Sequence, residues 1–151
     1  MRLERGLFQT IVKNAPLISI DLIVKNNNGK VLLGQRLNRP AQDYWFVPGG
    51  RIFKDELLDE AFKRIGTEEL GLNICRKSAT FLGIYEHFYI DNFSEYDFST
   101  HYIVHGYEIT IDIELLDLPS EQHGRFQWFR IDDLLNDSTV HQFTKNYFIA
   151  R

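Results

Sequence analysis

The pattern of apolar and polar positions between residues 56 and 70 predicts an amphipathic helix. Apolar side chains recur there at intervals of three and four, so they fall on one face. They are Leu57, Leu58, Ala61, Phe62 and Ile65. Asp55 precedes this stretch as a candidate N-cap, and Gly71 follows it as a candidate stop. We therefore expect the surrounding chain to pack against one apolar helix face.

Other stretches have the composition and alternation of β-strands. They are residues 17–24, 31–36, 79–89, 101–111 and 126–130. Asn28 and Gly29 join the first two as a hairpin turn. Helical patterns recur at residues 3–15, 131–136 and 140–150. This mixture predicts an α+β fold in a single domain over residues 1–151, with helices packed on a mixed sheet.

Two carboxylates stand in an unfavourable position near the end of the central helix. Glu68 and Glu69 lie in its last turn, where the helix dipole disfavours negative charge by roughly 0.3–1 kcal/mol each. Glu69 also projects toward the apolar side, where an unpaired carboxylate is costly. A hard cation such as magnesium would remove both problems. The alternative is a frayed last turn with both glutamates in water.

Composition narrows the classes of protein considered. The chain has 151 residues and a net charge of −4, which argues against nucleic acid as the main partner. Cys75 is the only cysteine, so an internal disulfide is excluded and a cytoplasmic setting is expected. Because no run is long and apolar enough to cross a bilayer, we also expect no membrane partner.

Four charged residues are candidates for binding or catalysis. Asp21 interrupts an apolar strand, so it lies at an edge, pairs with an arginine or is functional. Arg36 and Arg51 flank the turn before the central helix, and Arg64 lies within that helix. Guanidinium groups suit bidentate contacts with phosphate, so these three arginines are a candidate phosphate clamp. Their alternative role is to form ordinary surface ion pairs.

The histidines differ in their expected surroundings. His123 lies in the polar stretch 117–125, predicted as a loop, beside acidic and amide side chains. Its near-neutral pKa makes it the best candidate for a general base. His87 stands between aromatic residues of a predicted strand, where a histidine is more often structural. His101 and His105 share one strand face and are interpreted as structural.

The central stretch also carries a spaced motif that resembles the Nudix box. The family pattern is G-x5-E-x7-R-E-U-x-E-E-x-G-U, in which U is aliphatic. The matching positions are Gly50, Glu56, Arg64, Glu68, Glu69, Gly71 and Leu72. The resemblance implies the α/β/α sandwich of that family, with the box at residues 50–72.

The chain departs from the box at two positions. Ile65 stands where the family has a glutamate, and Gly66 stands where it has an aliphatic residue. Ordinary Nudix enzymes use that glutamate to bind metal and to activate water that attacks phosphorus. Its loss implies fewer metal ions or a different reaction.

Residues 36–51, 85–102 and 118–128 resemble one Nudix branch, the GDP-mannose mannosyl hydrolases, in which the same glutamate is typically lost. The presence of Glu68 is a difference, because this branch need not have it. The resemblance implies that water attacks the anomeric carbon of a GDP-hexose with inversion and that GDP leaves. One magnesium ion per subunit and a homodimer are also implied.

The resemblance further implies a role for each candidate. The metal ligands would be the Gly49 carbonyl, Glu69 and Gln122. Arg36, Arg51 and Arg64 would support the pyrophosphate, with a hydrogen bond from Tyr102. Asp21 would stabilise positive charge on the sugar, His87 would orient the sugar, and His123 would take the proton from water. Contacts with guanine across the dimer would come from Arg2, Leu3 and Phe8.

Two other functions stay open from the sequence. One is a conventional Nudix pyrophosphohydrolase that cleaves a nucleoside diphosphate sugar at phosphorus. The other is a catalytically silent nucleotide-binding domain, which the loss of glutamate at Ile65 favours and the presence of His123 disfavours. The preferred hexose among mannose, glucose and fucose is likewise left open.

Overall fold

A mixed β-sheet organises the chain. The structure, a computed structural model, describes residues 2–112, 118–119 and 123–149, with only the backbone described at 123 and 124. The strands are β1 (Leu17–Lys25), β2 (Val31–Arg36), β3 (Trp45–Phe46), β4 (Gly49–Arg51), β5 (Thr80–Tyr89), β6 (Thr100–Thr110) and β7 (His123–Phe129). The helices are α1 (Arg5–Asn14), α2 (Leu58–Leu70), α3 (Ile131–Asn136) and α4 (Gln142–Lys145). Two 3-10 turns complete the list, at Arg76–Ser78 after α2 and at Asn146–Phe148 after α4.

The strand order is β3-β2-β1-β6-β5, while β4 pairs with β1 and β7 pairs with β2. Strands β1 and β6 run parallel, and the neighbouring pairs run antiparallel. Central strand β1 is covered on both faces, which explains its nearly continuous apolar sequence. Across the described ranges, none of the helices combines the length and apolarity that crossing a bilayer requires.

Helices cover the two faces of the sheet, so the predicted α/β/α sandwich is confirmed. On one face, Ile20 and Leu22 of β1 pack with Phe62 and Ile65 of α2. On the other face, Ile23 packs in a cluster that includes Leu134 of α3 and Val140 before α4. The alternation along β1 therefore divides its side chains between two cores, and Asp21 falls on the same side as Ile23.

The start of α2 differs from the prediction. Asp55 has a φ of 67°, a left-handed conformation that an N-cap residue does not adopt, so it is not the cap. The helix begins two residues later than expected, at Leu58, with Leu57 extended at the cap. Glu60 accepts a hydrogen bond of 2.9 Å from the Leu57 amide. The prediction that Gly71 ends the helix is confirmed by its φ of 68°.

Close packing explains why Gly66 stands where the family box has an aliphatic residue. A Cβ on Gly66 would lie 2.3 Å from Cγ1 of Ile74, which follows the helix. Ile74 itself packs against the core under α2. The aliphatic group that the family places on the helix is therefore supplied here by a residue beyond it.

Three other boundaries need correction. Residues 140–150, predicted as one helix, form the short helix α4 followed by a 3-10 turn. Helix α1 begins at Arg5, because the Glu4 carboxylate caps the amides of Gly6 and Leu7. Strand β7 begins at His123, within the stretch predicted as a loop. Its pairing with β2 continues past a bulge between Gln35 and Arg36, so that Arg36 pairs with His123.

Candidate functional site

A cavity of about 340 Å³ opens beside β1, β4, β5 and β6. It gathers most of the predicted site residues, which come from distant parts of the chain. The predicted residues that line it are Phe8, Asp21, Arg36, Gly49, Arg51, Glu69, His87 and Tyr102. Gly50, a matching position of the box, lines it too. Residues that the sequence did not single out complete the lining, namely Val12, Ser19, Asn38, Arg39, Pro40, Phe46, Val47, Tyr89, Phe93 and Thr100.

Among the described residues, the predicted Arg2, Leu3 and Arg64 are not part of the cavity lining. Arg2 and Leu3 precede α1, and their predicted contact with guanine requires a second copy of the chain, so it stays a prediction. Gln122 and the side chain of His123 lie outside the described residues, although the His123 backbone pairs with Arg36 at the start of β7. Arg64 lies beyond the cavity wall.

Asp21 is the buried acid of the site. It sits in central strand β1 with 9% of its surface exposed. Its Oδ2 accepts a hydrogen bond of 2.6 Å from the Tyr147 hydroxyl. Burial raises the pKa of Asp21 to about 7, although the Tyr147 hydrogen bond and the positive charge of Arg36 oppose that rise. Asp21 therefore changes charge near neutral pH, unlike an ordinary aspartate.

Gly49 lies directly beside Asp21 in the ladder between β1 and β4. A Cβ at Gly49 would come within 2.4 Å of Asp21 Oδ1 and 2.6 Å of the Ile20 carbonyl oxygen. Only glycine allows β4 to approach so closely. This contact brings the Gly49 backbone and the Asp21 carboxylate to one wall of the cavity.

Glu69 brings a second carboxylate to the same wall. It is 8% exposed, and its Oε1 lies 3.4 Å from the Gly49 amide nitrogen. A carboxylate oxygen is a ligand type that suits a hard divalent cation. Within the described ranges, no group of three His, Cys, Asp or Glu side chains converges as a metal site. An ion held here would thus take one box carboxylate, from Glu69, together with backbone and substrate oxygens.

Arg64 organises the chain before α2. Its guanidinium makes two bonds with the Glu56 carboxylate, of 2.7 and 2.9 Å, and one of 2.7 Å with the Arg51 carbonyl. A further bond of 3.1 Å joins it to Glu68. The Arg64 guanidinium accordingly lowers the pKa of Glu56. The prediction that Arg64 also contacts pyrophosphate stays a prediction.

Arg36 and Arg51 are the two predicted arginines that reach the cavity. Arg36 Nε donates to the Pro40 carbonyl over 2.9 Å, which fixes the guanidinium at the end of β2. Arg51 lies over the rings of Phe8 and Phe53, at 5.0 and 4.8 Å. Two guanidinium groups therefore bring positive charge to the cavity, which suits a ligand with several phosphate oxygens.

His87 lines the cavity from an aromatic setting. Its ring is stacked on Phe143, with 4.5 Å between centroids and 5° between planes. Burial and the nearby His141 lower the pKa of His87 to about 4, so the ring is neutral at pH 7. Among the described residues, its buried Nε2 has no hydrogen-bond partner. A buried polar atom of this kind is suited to a ligand hydroxyl.

Sequence reasoning missed the contribution of the C-terminal residues. Phe143 and Tyr147 lie in the stretch 140–150 that was predicted as a helix, and their spacing of four residues is typical of core packing. In the structure they contact His87 and Asp21. The phenol group of Tyr147 was the one available signal, because a buried tyrosine hydroxyl usually has a hydrogen-bond partner.

Comparisons with known proteins agree with this geometry. The family model of the NUDIX domain matches residues 15–150. The chain therefore belongs to the Nudix family of hydrolases, whose members act on small molecules and generally use a divalent metal such as Mg²⁺.

Individual relatives span most of the chain. Low-salt glycan biosynthesis protein Agl8 from Haloferax volcanii (strain DS2) is 42% identical over 128 residues, which cover 85% of this chain and 80% of that protein. The MutT protein from Methanosarcina mazei Go1 has a TM-score of 0.70 and 20% identity over 89% of this chain and 92% of its own. A MutT Nudix hydrolase from Burkholderia pseudomallei has a TM-score of 0.68 and 24% identity over 89% and 96%. These two structures support the fold alone.

The pKa of Asp21 generates a prediction about stability. The pKa of Asp21 is about 7 in the folded chain and ordinarily 3.8. Between these two pH values, the folded state therefore keeps a proton on Asp21 that the unfolded state has lost. Stability should therefore fall as pH rises from about 4 to 7, by about 1.4 kcal/mol per pH unit from this group. Asp21→Asn should remove this contribution, and urea unfolding with EDTA across that range would measure it. Asp132→Asn, at an exposed position, is the control. Parallel pH profiles for wild type and Asp21→Asn would contradict the prediction.

Proposed function

We propose that the chain hydrolyses GDP-mannose to GDP and mannose, with water attacking the anomeric carbon and inverting it. GDP-glucose is a second candidate substrate of the same reaction. The resemblance to the GDP-mannose mannosyl hydrolase branch supports this proposal, and so does the 42% identity to a protein named for glycan biosynthesis.

The observation that carries the proposal is the small number of box carboxylates at the cavity. Among the described residues of the box, Glu69 is the one glutamate that lines it. Glu56 and Glu68 are bound to Arg64, and Ile65 is fully buried in the core. Attack at phosphorus in ordinary Nudix enzymes depends on the glutamate that Ile65 replaces. A reaction at carbon does not need that group.

The leaving group is bound at the charged side of the cavity. Arg36 and Arg51 neutralise the pyrophosphate, and the Tyr102 hydroxyl donates a hydrogen bond to it. Mg²⁺ held by Glu69, the Gly49 carbonyl and Gln122 would supply further positive charge for the departing GDP. Phe8 lies under the Arg51 guanidinium and offers an aromatic face to the guanine, while the proposed contacts from Arg2 and Leu3 come from a second subunit of a homodimer.

The sugar is proposed to lie against Asp21 and His87. Ionised Asp21 stabilises the positive charge that develops at the anomeric carbon. Neutral His87 forms a hydrogen bond with a sugar hydroxyl through Nε2, which has no other partner within the described chain. His123 takes the proton from the attacking water. The pairing of its backbone with Arg36, a cavity residue, supports this assignment.

The site of attack is tested by hydrolysis in water enriched in heavy oxygen. If water attacks carbon, the label should enter mannose and not GDP. Incubation with GDP-mannose and Mg²⁺, followed by mass spectrometry of both products, would measure this. Label in GMP or mannose phosphate would indicate a conventional pyrophosphohydrolase, and no turnover of any GDP-hexose would indicate a silent binding domain.

The two neighbouring box glutamates are expected to respond differently to substitution. Glu69→Gln should lower Mg²⁺-dependent turnover by roughly 100-fold or more, because the ion loses its carboxylate ligand. Glu68 is 57% exposed and paired with Arg64, so Glu68→Gln should cost less than about five-fold. Turnover measured across a Mg²⁺ titration compares the two variants. Equal losses would indicate that both glutamates bind metal.

The pH profile of turnover tests the base. His123 must be neutral to accept a proton, so kcat should rise with pH through its ionisation and then level off. A divalent cation held by Glu69 and the Gly49 carbonyl would lower the pKa of Asp21, so we assign the limb near neutral pH to His123. His123→Gln should lose roughly 10²- to 10⁴-fold in kcat, lose this limb and still bind the substrate.

His87→Gln is the control for the base, because His87 orients the sugar and accepts no proton from water. This variant should keep the rising limb of the kcat profile. Near-normal turnover of His123→Gln, or an unchanged limb in that variant, would rule out His123 as the base.

A further inference from the structure

Tyr147 contacts the proposed active site from behind its wall. It lies in the 3-10 turn Asn146–Phe148, and its hydroxyl donates the 2.6 Å hydrogen bond to Asp21 Oδ2. It does not line the cavity, so it is not expected to touch the substrate. The proposed reaction therefore assigns it no role.

The ring of Tyr147 occupies the space that is left because Gly106 has no side chain. Gly106 pairs with Asp21 across the parallel ladder between β1 and β6. A Cβ at Gly106 would lie only 2.9 Å from Tyr147 Cε1. Tyr85 packs against the same ring at 4.5 Å between centroids. The hydroxyl is thus directed at Asp21 by close packing of its ring.

This bond gives the two oxygens of Asp21 different surroundings. Oδ2 is held by Tyr147, while Oδ1 lies against the Gly49 backbone at the cavity wall. Rotation of the carboxylate about its Cβ–Cγ bond would break the hydrogen bond and leave a buried oxygen without that donor, which is unfavourable. The plane of the carboxylate is therefore fixed relative to the cavity.

We propose that Tyr147 is a positioning residue that holds the Asp21 carboxylate with Oδ1 directed at the reacting sugar carbon. This inference rests on the proposed function, in which Asp21 stabilises the sugar cation. A fixed carboxylate stabilises developing charge without reorienting during the reaction. A purely structural role for Tyr147 would instead stabilise the fold and leave the rate of the bound substrate unchanged.

Tyr147→Phe separates these roles, because it removes only the hydroxyl. The positioning role predicts that kcat for GDP-mannose falls by roughly 10- to 100-fold, while KM changes by less than about three-fold. The effect should also depend on Asp21. In an Asp21→Asn background, the same substitution should change kcat by less than about two-fold, measured in single turnovers at high enzyme concentration.

Tyr107→Phe is the matched control. Tyr107 is also buried and carries a hydroxyl with a hydrogen-bond partner, Arg76, but it packs under α2 on the opposite face of the sheet. It should lose stability without a fall in kcat. Gly106→Ala is a second variant that retains the Tyr147 hydroxyl but displaces its ring, and it should lower kcat in the same way. Thermal unfolding of every variant reports whether it is folded.

The outcomes discriminate between the two proposals. A wild type that releases no mannose overturns the proposed function and this inference with it. If the wild type is active, the inference alone is overturned by either of two results. In the first, Tyr147→Phe keeps kcat within two-fold, or Tyr147→Phe does not fold and Gly106→Ala keeps kcat. In the second, Tyr147→Phe lowers kcat equally with and without the Asp21 carboxylate.

Discussion

A carboxylate in the central strand is the constraint around which this site is built. Asp21 lies where β1 is covered on both faces, and burial of a charge there is unfavourable. Its neighbours in the ladders on either side are both glycines, Gly49 in β4 and Gly106 in β6. The absence of a side chain at Gly49 lets β4 lie against the Asp21 carboxylate, and its absence at Gly106 makes room for the ring of Tyr147. Both glycines are thus required by the packing around one acid.

The charges of the Nudix box are divided between structural and functional tasks. Glu56 and Arg64 form a pair that holds the turn before α2, and the bond from Arg64 to the Arg51 carbonyl extends it to β4. Glu69, one turn further along the helix, reaches the cavity instead. The same helix therefore anchors the loop that carries Arg51 and delivers a carboxylate to the site. Its geometry couples the packing of the core to the placement of the ligands.

Local patterns predicted the central helix and five of the seven strands in the described chain, because each is encoded by neighbouring residues. The short strands β3 and β4 were not predicted. The end of α2 at Gly71 and the hairpin at Gly29 depend on backbone conformations that glycine favours, so both could be predicted from the sequence. The start of α2 could not be predicted, because the left-handed conformation of Asp55 belongs to a turn that Arg64 holds from within the helix. The box and its resemblance identified nine of the described cavity residues. Tyr147 was missed because its contact with Asp21 joins positions 126 residues apart.

The segment behind the cavity wall, made of α4 and the 3-10 turn that follows it, has a consequence for the stability of the site. This segment is short, and its ties to Asp21 and His87 are made by two side chains, Tyr147 and Phe143. Strands β1, β5 and β6, by contrast, are held together by long ladders. Local unfolding of the segment therefore requires far less free energy than global unfolding, and it leaves the sheet intact. In such an opened state the contact between Gly49 and Glu69 would survive, while Asp21 and His87 would lose their contacts with Tyr147 and Phe143. Under the proposed function, nucleotide binding would then outlast catalysis as the protein is destabilised.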